Sequence, residues 1–323
     1  MRINDRRYPS YIFGSIMKVT LIHNADAGDD DSPTLGQLEA LIEEAGHSVR
    51  SQSVKKDGWS KALKKRADLV AVAGGDGTVG KVARRMVGRK TPLAVLPMGT
   101  ANNIANSLGI AKRQATELIA GWSKADRVEF DVGTASGPWG ERHFIEGVGM
   151  GLFTHAMPWI ERNRNISKQP GEVRLAYALQ LMREHLNGSV PVQLNATLDG
   201  EDISGAYLLF EAMNTRYVGP NLFLAPDVEH GAGLLHVVCV ADKQRETLRQ
   251  YLTGWQNGTM WPADLGVYTG RRLEIEWTGY PVHLDDKLWP DEDDKPPKPP
   301  VPVEITIERA ALQFLVPASA MQR

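Results

Sequence analysis

The sequence predicts an α/β fold, with an N-terminal doubly wound parallel sheet over residues 17–130 and a C-terminal β-rich domain over 131–309. Three observations predict it. Two glycine-flanked polar loops, Gly74-Gly75-Asp76-Gly77-Thr78 and Gly99-Thr100-Ala101-Asn102-Asn103, each follow a short apolar run, 67–73 and 92–97. Each loop leads into a stretch with helical spacing, so strand, loop and helix recur twice and set both loops at the carboxyl edge of one sheet. After Phe130 the pattern changes to short alternating strands, clearest in 192–198.

The elements follow in order. Residues 1–16 lack the apolar core and small-residue cleavage site of a secretory signal and read as a disordered upstream extension or a misassigned start. Met17 opens the first strand, MKVTLIHN. A helix over 34–45, the strand HSVRSQSV and a helix over 59–66 precede the two loop-bearing units. In the second domain, helices are expected over 172–186 and 244–255, with a hairpin turn at Asp199-Gly200 followed by the strand ISGAYLLFEAM. The first of these helices is apolar on more than one stripe, as a core helix or the wall of an acyl-chain pocket would be. The proline-rich run 290–302 reads as an exposed loop between PVHLDDKL and VEITIER, and the tail 310–323 is expected to return to the first domain.

Composition narrows the function. The net charge is −2, so no global basic field invites nucleic acid. The single cysteine, Cys239, lies in an apolar run and reads as a buried strand residue in a reducing compartment. No apolar stretch reaches the ~18 residues of a membrane span. The expected location is cytoplasmic.

The paired loops read as one phosphate site, because glycine lets backbone N–H groups approach an anion and a helix amino terminus adds positive charge. Cations follow them: Lys81, Arg84, Arg85, Arg89, Lys90, Lys112 and Arg113, with no acid between Gly77 and Thr116. Two familiar motifs fail here. The dinucleotide fingerprint lacks its ribose-binding acid until Glu117, and the P-loop pattern has Val82 in place of the Mg²⁺-binding hydroxyl.

Gly74–Thr78 followed by LPMGTANNIA at 96–105 resembles the diacylglycerol kinase catalytic family, which includes bacterial lipid kinases and the sphingosine and ceramide kinases. His23-Asn24-Ala25-Asp26-Ala27-Gly28 looks like that family's first-strand turn, and Gly147–Phe153 and Asn214–Pro226 match further landmarks. The resemblance runs from about Met17 to Pro317. It implies an α/β domain facing a β-sandwich domain, and transfer of the γ-phosphoryl group of ATP to a lipid hydroxyl, with diacylglycerol the default acceptor.

The nucleotide residues so implied are Asn24, Ala25, Asp26, Ala27, Gly28, Ser53, Gly74, Gly75, Asp76, Gly77, Thr78, Val79, Gly80, Lys81, Gly99, Thr100, Asn102 and Asn103, with Asp76 acting through ATP-bound Mg²⁺. The family's late Asp-Gly-Glu reads Asp285-Asp286-Lys287, which makes Asp285 the candidate general base. Asn103 stands where the family has Asp, and Gly231-Ala232-Gly233 where it has a metal-associated Asp-Asp-Gly, so no structural Mg²⁺ is expected. A lipid substrate requires a membrane surface, and 157–168 mixes Trp159 and Ile160 with Arg162, Arg164 and Lys168 as an interfacial segment would. Expected partners are the lipid, that surface and a second copy of the chain. The alternatives are a ceramide, sphingoid-base or NAD kinase, or a nucleotide- or lipid-binding protein that has lost catalysis.

Overall fold

The computed structural model describes residues 16–29, 31–163, 165–166, 169–259 and 265–318. Residues 1–15 of the expected extension, Arg164 and Lys168 of the interfacial segment, and 319–323 of the tail lie outside them.

The first layer is the expected parallel sheet. β1 (Lys18–His23), α1 (Leu35–Glu44), β2 (Ser48–Ser53), β3 (Leu69–Gly74), α2 (Asp76–Met86), β4 (Leu93–Pro97), α3 (Asn103–Ser107) and α4 (Ala115–Gly121) follow in order, with strands paired 2-1-3-4. Thr34 caps α1 through a reciprocal pair with Gln37, which fixes the helix start that the sequence suggested. The stretch after β2 departs from expectation, because Trp59–Lys64 is a 3-10 helix. Gly58 enters it with positive φ and no side-chain cap, and β3 begins before a longer helix could form.

β5 (Asp126–Gly137) carries the chain out of this sheet, with β6 (Gly140–Phe144) and β7 (Gly147–Gly151) beyond it. Then come α5 (Leu152–Arg162), α6 (Gly171–Gly188), β8 (Val192–Leu198), β9 (Glu201–Asp202), β10 (Gly205–Met213), β11 (Tyr217–Val218), β12 (Leu222–Phe223), β13 (Leu235–Ala241), α7 (Arg245–Gln256), β14 (Gly266–Gly270), β15 (Arg272–Trp277), β16 (Val282–Leu284), β17 (Lys287–Trp289) and β18 (Val301–Val316). α5 was not expected. Pro158 inside it argues against a helix from sequence, yet apolar contacts of Leu152, Phe153 and Ala156 hold it.

β10 and β13 are buried on both faces. Phe210, Ala212, Val237 and Cys239 enter the β-sandwich core, while Leu209, Met213, Val238 and Val240 pack under α5–α7. Double burial explains why these strands read as near-continuous apolar runs. β18 closes the molecule: it pairs antiparallel with β5 and β15, and Phe314 lies beside Leu93 of β4. The C-terminal strand thus returns to the parallel sheet. The loop 290–300 is largely exposed and joins β17 to β18, while β16 and β17 form their own tight hairpin at Asp285-Asp286.

Candidate functional site

The carboxyl edge of the parallel sheet gathers the turn after β1, Ser53 at the end of β2, and the loops after β3 and β4. The two glycine loops touch directly. A Cβ on Gly99 would lie 2.4 Å from Gly75 Cα, so the close approach of the two backbones requires glycine. Asp76 Oδ1 accepts the Ile104 N–H at 3.0 Å, and Met98 N–H donates to Gly74 O at 3.1 Å, tying one loop to the other. Asn102, at φ 52°, closes the second loop by donating to Gly99 O and accepting from Gly99 N–H, both at 2.9 Å.

These bonds narrow the expected phosphate cradle. The helix begins at Asp76, so Thr78 and Val79 donate to Gly75 O, and Gly80 and Lys81 belong to its internal ladder. Their N–H groups are engaged, as is that of Gly99, which narrows the expected run of donors from Gly75–Lys81 to Gly75–Gly77. The turn after β1 is likewise closed on itself: Ala27 N–H donates to Asn24 O and Asp26 N–H to Asn24 Oδ1, while Asp26 pairs with Lys55. Gly28, at φ 101°, faces Met98 of the second loop, and Ser53 Oγ accepts from Lys55 N–H. Of the cations after the first loop, Arg84 reaches the acidic end, whereas Arg85 lies over the Trp59 ring and Arg89 binds Leu63 O.

Asp285 occupies the β16–β17 turn at φ 50°. Its Oδ1 accepts from Ile145 (3.0 Å), Glu146 (2.8 Å) and Gly147 (3.3 Å) N–H groups; its Oδ2 accepts from Ile145 N–H (3.1 Å) and the Arg84 guanidinium. A carboxylate offers about four lone-pair sites. All of them are occupied, so the expected role of Asp285 as proton acceptor conflicts with its surroundings. Burial raises its pKa, against the lowering pull of Arg84 and the backbone donors. Lys287, where the family has Glu, is exposed and stands 3.7 Å from Asp286.

Two buried acids, Glu146 and Glu211, escaped the sequence reading of the site. Glu146, 7% exposed, sits between β6 and β7; Asn103 Nδ2 donates to its Oε2 at 2.7 Å. Its backbone is held by Asn214 N–H on its carbonyl and by Asp285 on its own N–H. Burial, together with the charges of Asp76 and Asp285, raises its pKa well above the ordinary carboxyl range. Asp76 is also raised by burial. Behind them Glu211 of β10 bonds His283 of β16 at 2.9 Å, and His283 Nδ1 lies 3.1 Å from Asp285 O. Burial opposes charge on His283, but Glu211 and the Asp285 carbonyl outweigh it and raise its pKa. The legible signal was an acid inside a predicted buried strand, Glu146 in FIEGVG and Glu211 in LLFEAM.

These acids line one end of a cavity of about 350 Å³. The polar end is Asp76, Asn103, Glu146, His283, Asp285 and Asp286; the other end is apolar, with Phe153, Met157 and Ile160 of α5 facing Leu175, Ala178 and Met182 of α6. α6 therefore buries one face in the core and turns another to the cavity, and Val173 remains exposed. Trp159 is 52% exposed and leans on His185, outside the core.

Cation sites follow from the donor sets. Asp76 heads α2, and Asp286 Oδ2 lies 3.1 Å from where a Gly77 Cβ would stand, so a phosphate chain there meets carboxylates and fits with a divalent cation between. Among the described residues, no group of three or more His, Cys, Asp or Glu side chains is placed to cage a metal ion. At Gly231–Gly233 protein groups do the tying instead: Asp131 accepts from Gly233 N–H (2.7 Å) and Ala310 N–H (2.8 Å), and Arg309 donates to Gly231 O (2.8 Å).

Comparison with known proteins agrees with this geometry. Residues 18–135 match the diacylglycerol kinase catalytic domain, and residues 160–316 match the YegS C-terminal NAD kinase beta sandwich-like domain. A diacylglycerol kinase of Mycobacterium tuberculosis (strain ATCC 25618 / H37Rv) is 26% identical over 79% of both chains. One from Bacillus subtilis (strain 168) is 27% identical over 68% of this chain and 73% of its own. The crystal structure of a diacylglycerol kinase from Bacillus anthracis str. Sterne covers 95% of this chain and 100% of its own with a TM-score of 0.71 at 20% identity, which establishes the shared fold. With the glycine loops, the sandwich and both domain models in agreement, residues 18–135 belong to the diacylglycerol kinase catalytic-domain family and residues 160–316 to the YegS C-terminal sandwich family.

Proposed function

We propose that this protein transfers the γ-phosphoryl group of ATP to a lipid hydroxyl, with diacylglycerol the default acceptor and ceramide or a sphingoid base next. The cavity carries the reading, since it joins an acidic end at the α2 amino terminus to an apolar wall of α5 and α6. Relatives named diacylglycerol kinase support it.

Each part has a physical task. Gly75–Gly77 at the start of α2, Ala25 and Gly28 of the turn after β1, and Thr100 hold and orient the phosphates, because phosphoryl transfer needs positioning and charge neutralisation more than covalent chemistry. Asp76 would hold Mg²⁺, which when bound would neutralise charge on the phosphates. The apolar wall receives an acyl chain and leaves the hydroxyl among Asn103, Glu146 and Asp286. Trp159, Arg162 and Val173 beside the cavity form the membrane contact, giving a cytoplasmic enzyme that associates reversibly with a lipid surface.

The test is transfer of γ-labelled phosphate, with Mg²⁺, to diacylglycerol, ceramide and sphingosine in mixed micelles, with NAD as a soluble control acceptor. Labelled lipid is the expected result. Nucleotide binding without any labelled acceptor would replace the enzyme with a binding protein, and label on NAD would replace the lipid.

A further inference from the structure

Glu146 is the acid of the cavity whose side chain is bonded to Asn103. Among the described residues its Oε2 accepts from Asn103 and its Oε1 carries no hydrogen bond, although the side chain lines the cavity. Asn103 is oriented unambiguously. Its Nδ2 donates to Glu146 and to Gly219 O at 3.0 Å, two acceptors that only an amide nitrogen satisfies, and this aims Oδ1 elsewhere. Asn103 is 3% exposed, and Oδ1 has no partner. Leaving a buried acceptor without a donor is costly, so an O–H or N–H arriving beside Asn103 would satisfy it.

The other carboxylates of the cavity have different surroundings. Asp285 has both oxygens occupied by backbone N–H groups and Arg84. Asp76 Oδ1 holds the second loop through Ile104. Asp286 Oδ1 is likewise buried without a hydrogen bond, but 40% of the side chain is exposed and it faces Gly77 and Lys287, away from the Asn103 amide that binds Glu146. The acid missing at position 103 is therefore present one hydrogen bond away, on a corner that Asp285 and Asn214 hold rigid.

We propose that Glu146 is the catalytic carboxylate that takes the proton from the acceptor hydroxyl, and that Asp285 is a positioning residue that fixes Glu146 and Arg84. This rests on the lipid-kinase reading. The acceptor O–H gives its proton to Glu146 Oε1 while its oxygen forms the new bond to the γ-phosphorus. The bond from that phosphorus to the bridging oxygen of ADP breaks, ADP leaves with the electron pair, and Glu146 later returns the proton to water.

The experiment compares wild type, Glu146→Gln, Glu146→Asp and Asp285→Asn in the labelled-phosphate assay, with ADP affinity and thermal unfolding as controls. Glu146→Gln is expected to lower kcat by at least about 100-fold, the usual range for a general base, with ADP affinity unchanged. Glu146→Asp keeps a carboxylate and is expected to fall between. Asp285→Asn is expected to lower Tm as well as kcat. A β-fluorinated acceptor alcohol, with a more acidic O–H, should narrow the gap between wild type and Glu146→Gln; a purely structural residue would show no such narrowing. Glu146→Gln within fivefold of wild type, or a gap unmoved by fluorination, overturns the assignment. So does Asp285→Asn that abolishes transfer at wild-type Tm. Wild type that binds ADP yet labels no lipid fails the underlying reading instead, and the inference falls with it.

Discussion

Asp285 and Glu146 show how two carboxyl groups a few ångströms apart receive opposite tasks. Asp285 is consumed by donors, so removing it strands the Ile145, Glu146 and Gly147 N–H groups and leaves Arg84 without its partner. Asp285→Ala is expected to cost about 3–5 kcal/mol, the range for breaking a buried pair, measurable by chemical denaturation. Glu146 predicts a pH effect of defined sign. The folded protein holds its proton to higher pH than the unfolded chain, whose carboxyl titrates near 4.5, so stability falls as pH rises from there through the raised folded value. Asp76, Asp285 and Glu211 are raised too and contribute to the same fall. Glu146→Gln should flatten that slope without abolishing it, as Tm measured from pH 4 to pH 8 would reveal; an unchanged slope would contradict the buried-proton account.

At the scale of elements, the glycine loops were legible because spacing and composition act locally: an apolar run, a glycine pair and a helix are adjacent in the chain. The helical extent of the first loop was not, since whether Thr78 and Val79 donate to phosphate or to Gly75 depends on where α2 begins. The acids were harder still. Pairing of β7 with β16 brings Glu146 and Asp285 together, and Asn103 of α3 and Arg84 of α2 reach them from the parallel-sheet domain. The replacement of Asp by Asn103 read as loss of charge, while the fold supplies Glu146 across a 2.7 Å bond. Contact between loops gives its own prediction. Gly99→Ala forces a Cβ to 2.4 Å from Gly75 Cα and 2.7 Å from Asn102 Oδ1, so the loops must separate. ADP affinity measured by calorimetry should fall at least about tenfold, equivalent to ~1.4 kcal/mol.

For the whole molecule, fold class and the change to β structure after Phe130 were readable, because helical and alternating periods differ plainly. α5 was not, as its proline masks a helix that tertiary packing stabilises. Asp131 and Arg309 secure the 231–233 turn that an ion would otherwise bind, so a chelator should leave the Tm of the nucleotide-free protein unchanged while abolishing Mg²⁺-dependent transfer. A drop in Tm on chelation would reveal a structural ion. Among the described residues no helix is long and apolar enough to cross a membrane. Combined Trp159→Ala and Arg162→Glu is expected to reduce co-sedimentation with anionic vesicles severalfold and to leave ADP affinity intact.

The strand β18 has a consequence for biosynthesis. β4 and β5 pair with it at Phe314 and along 304–316, so the edge of the parallel sheet stays open until the ribosome has delivered that segment. The early half cannot complete itself during translation, and a nascent chain carrying an exposed, apolar β4 edge is a natural client for chaperones.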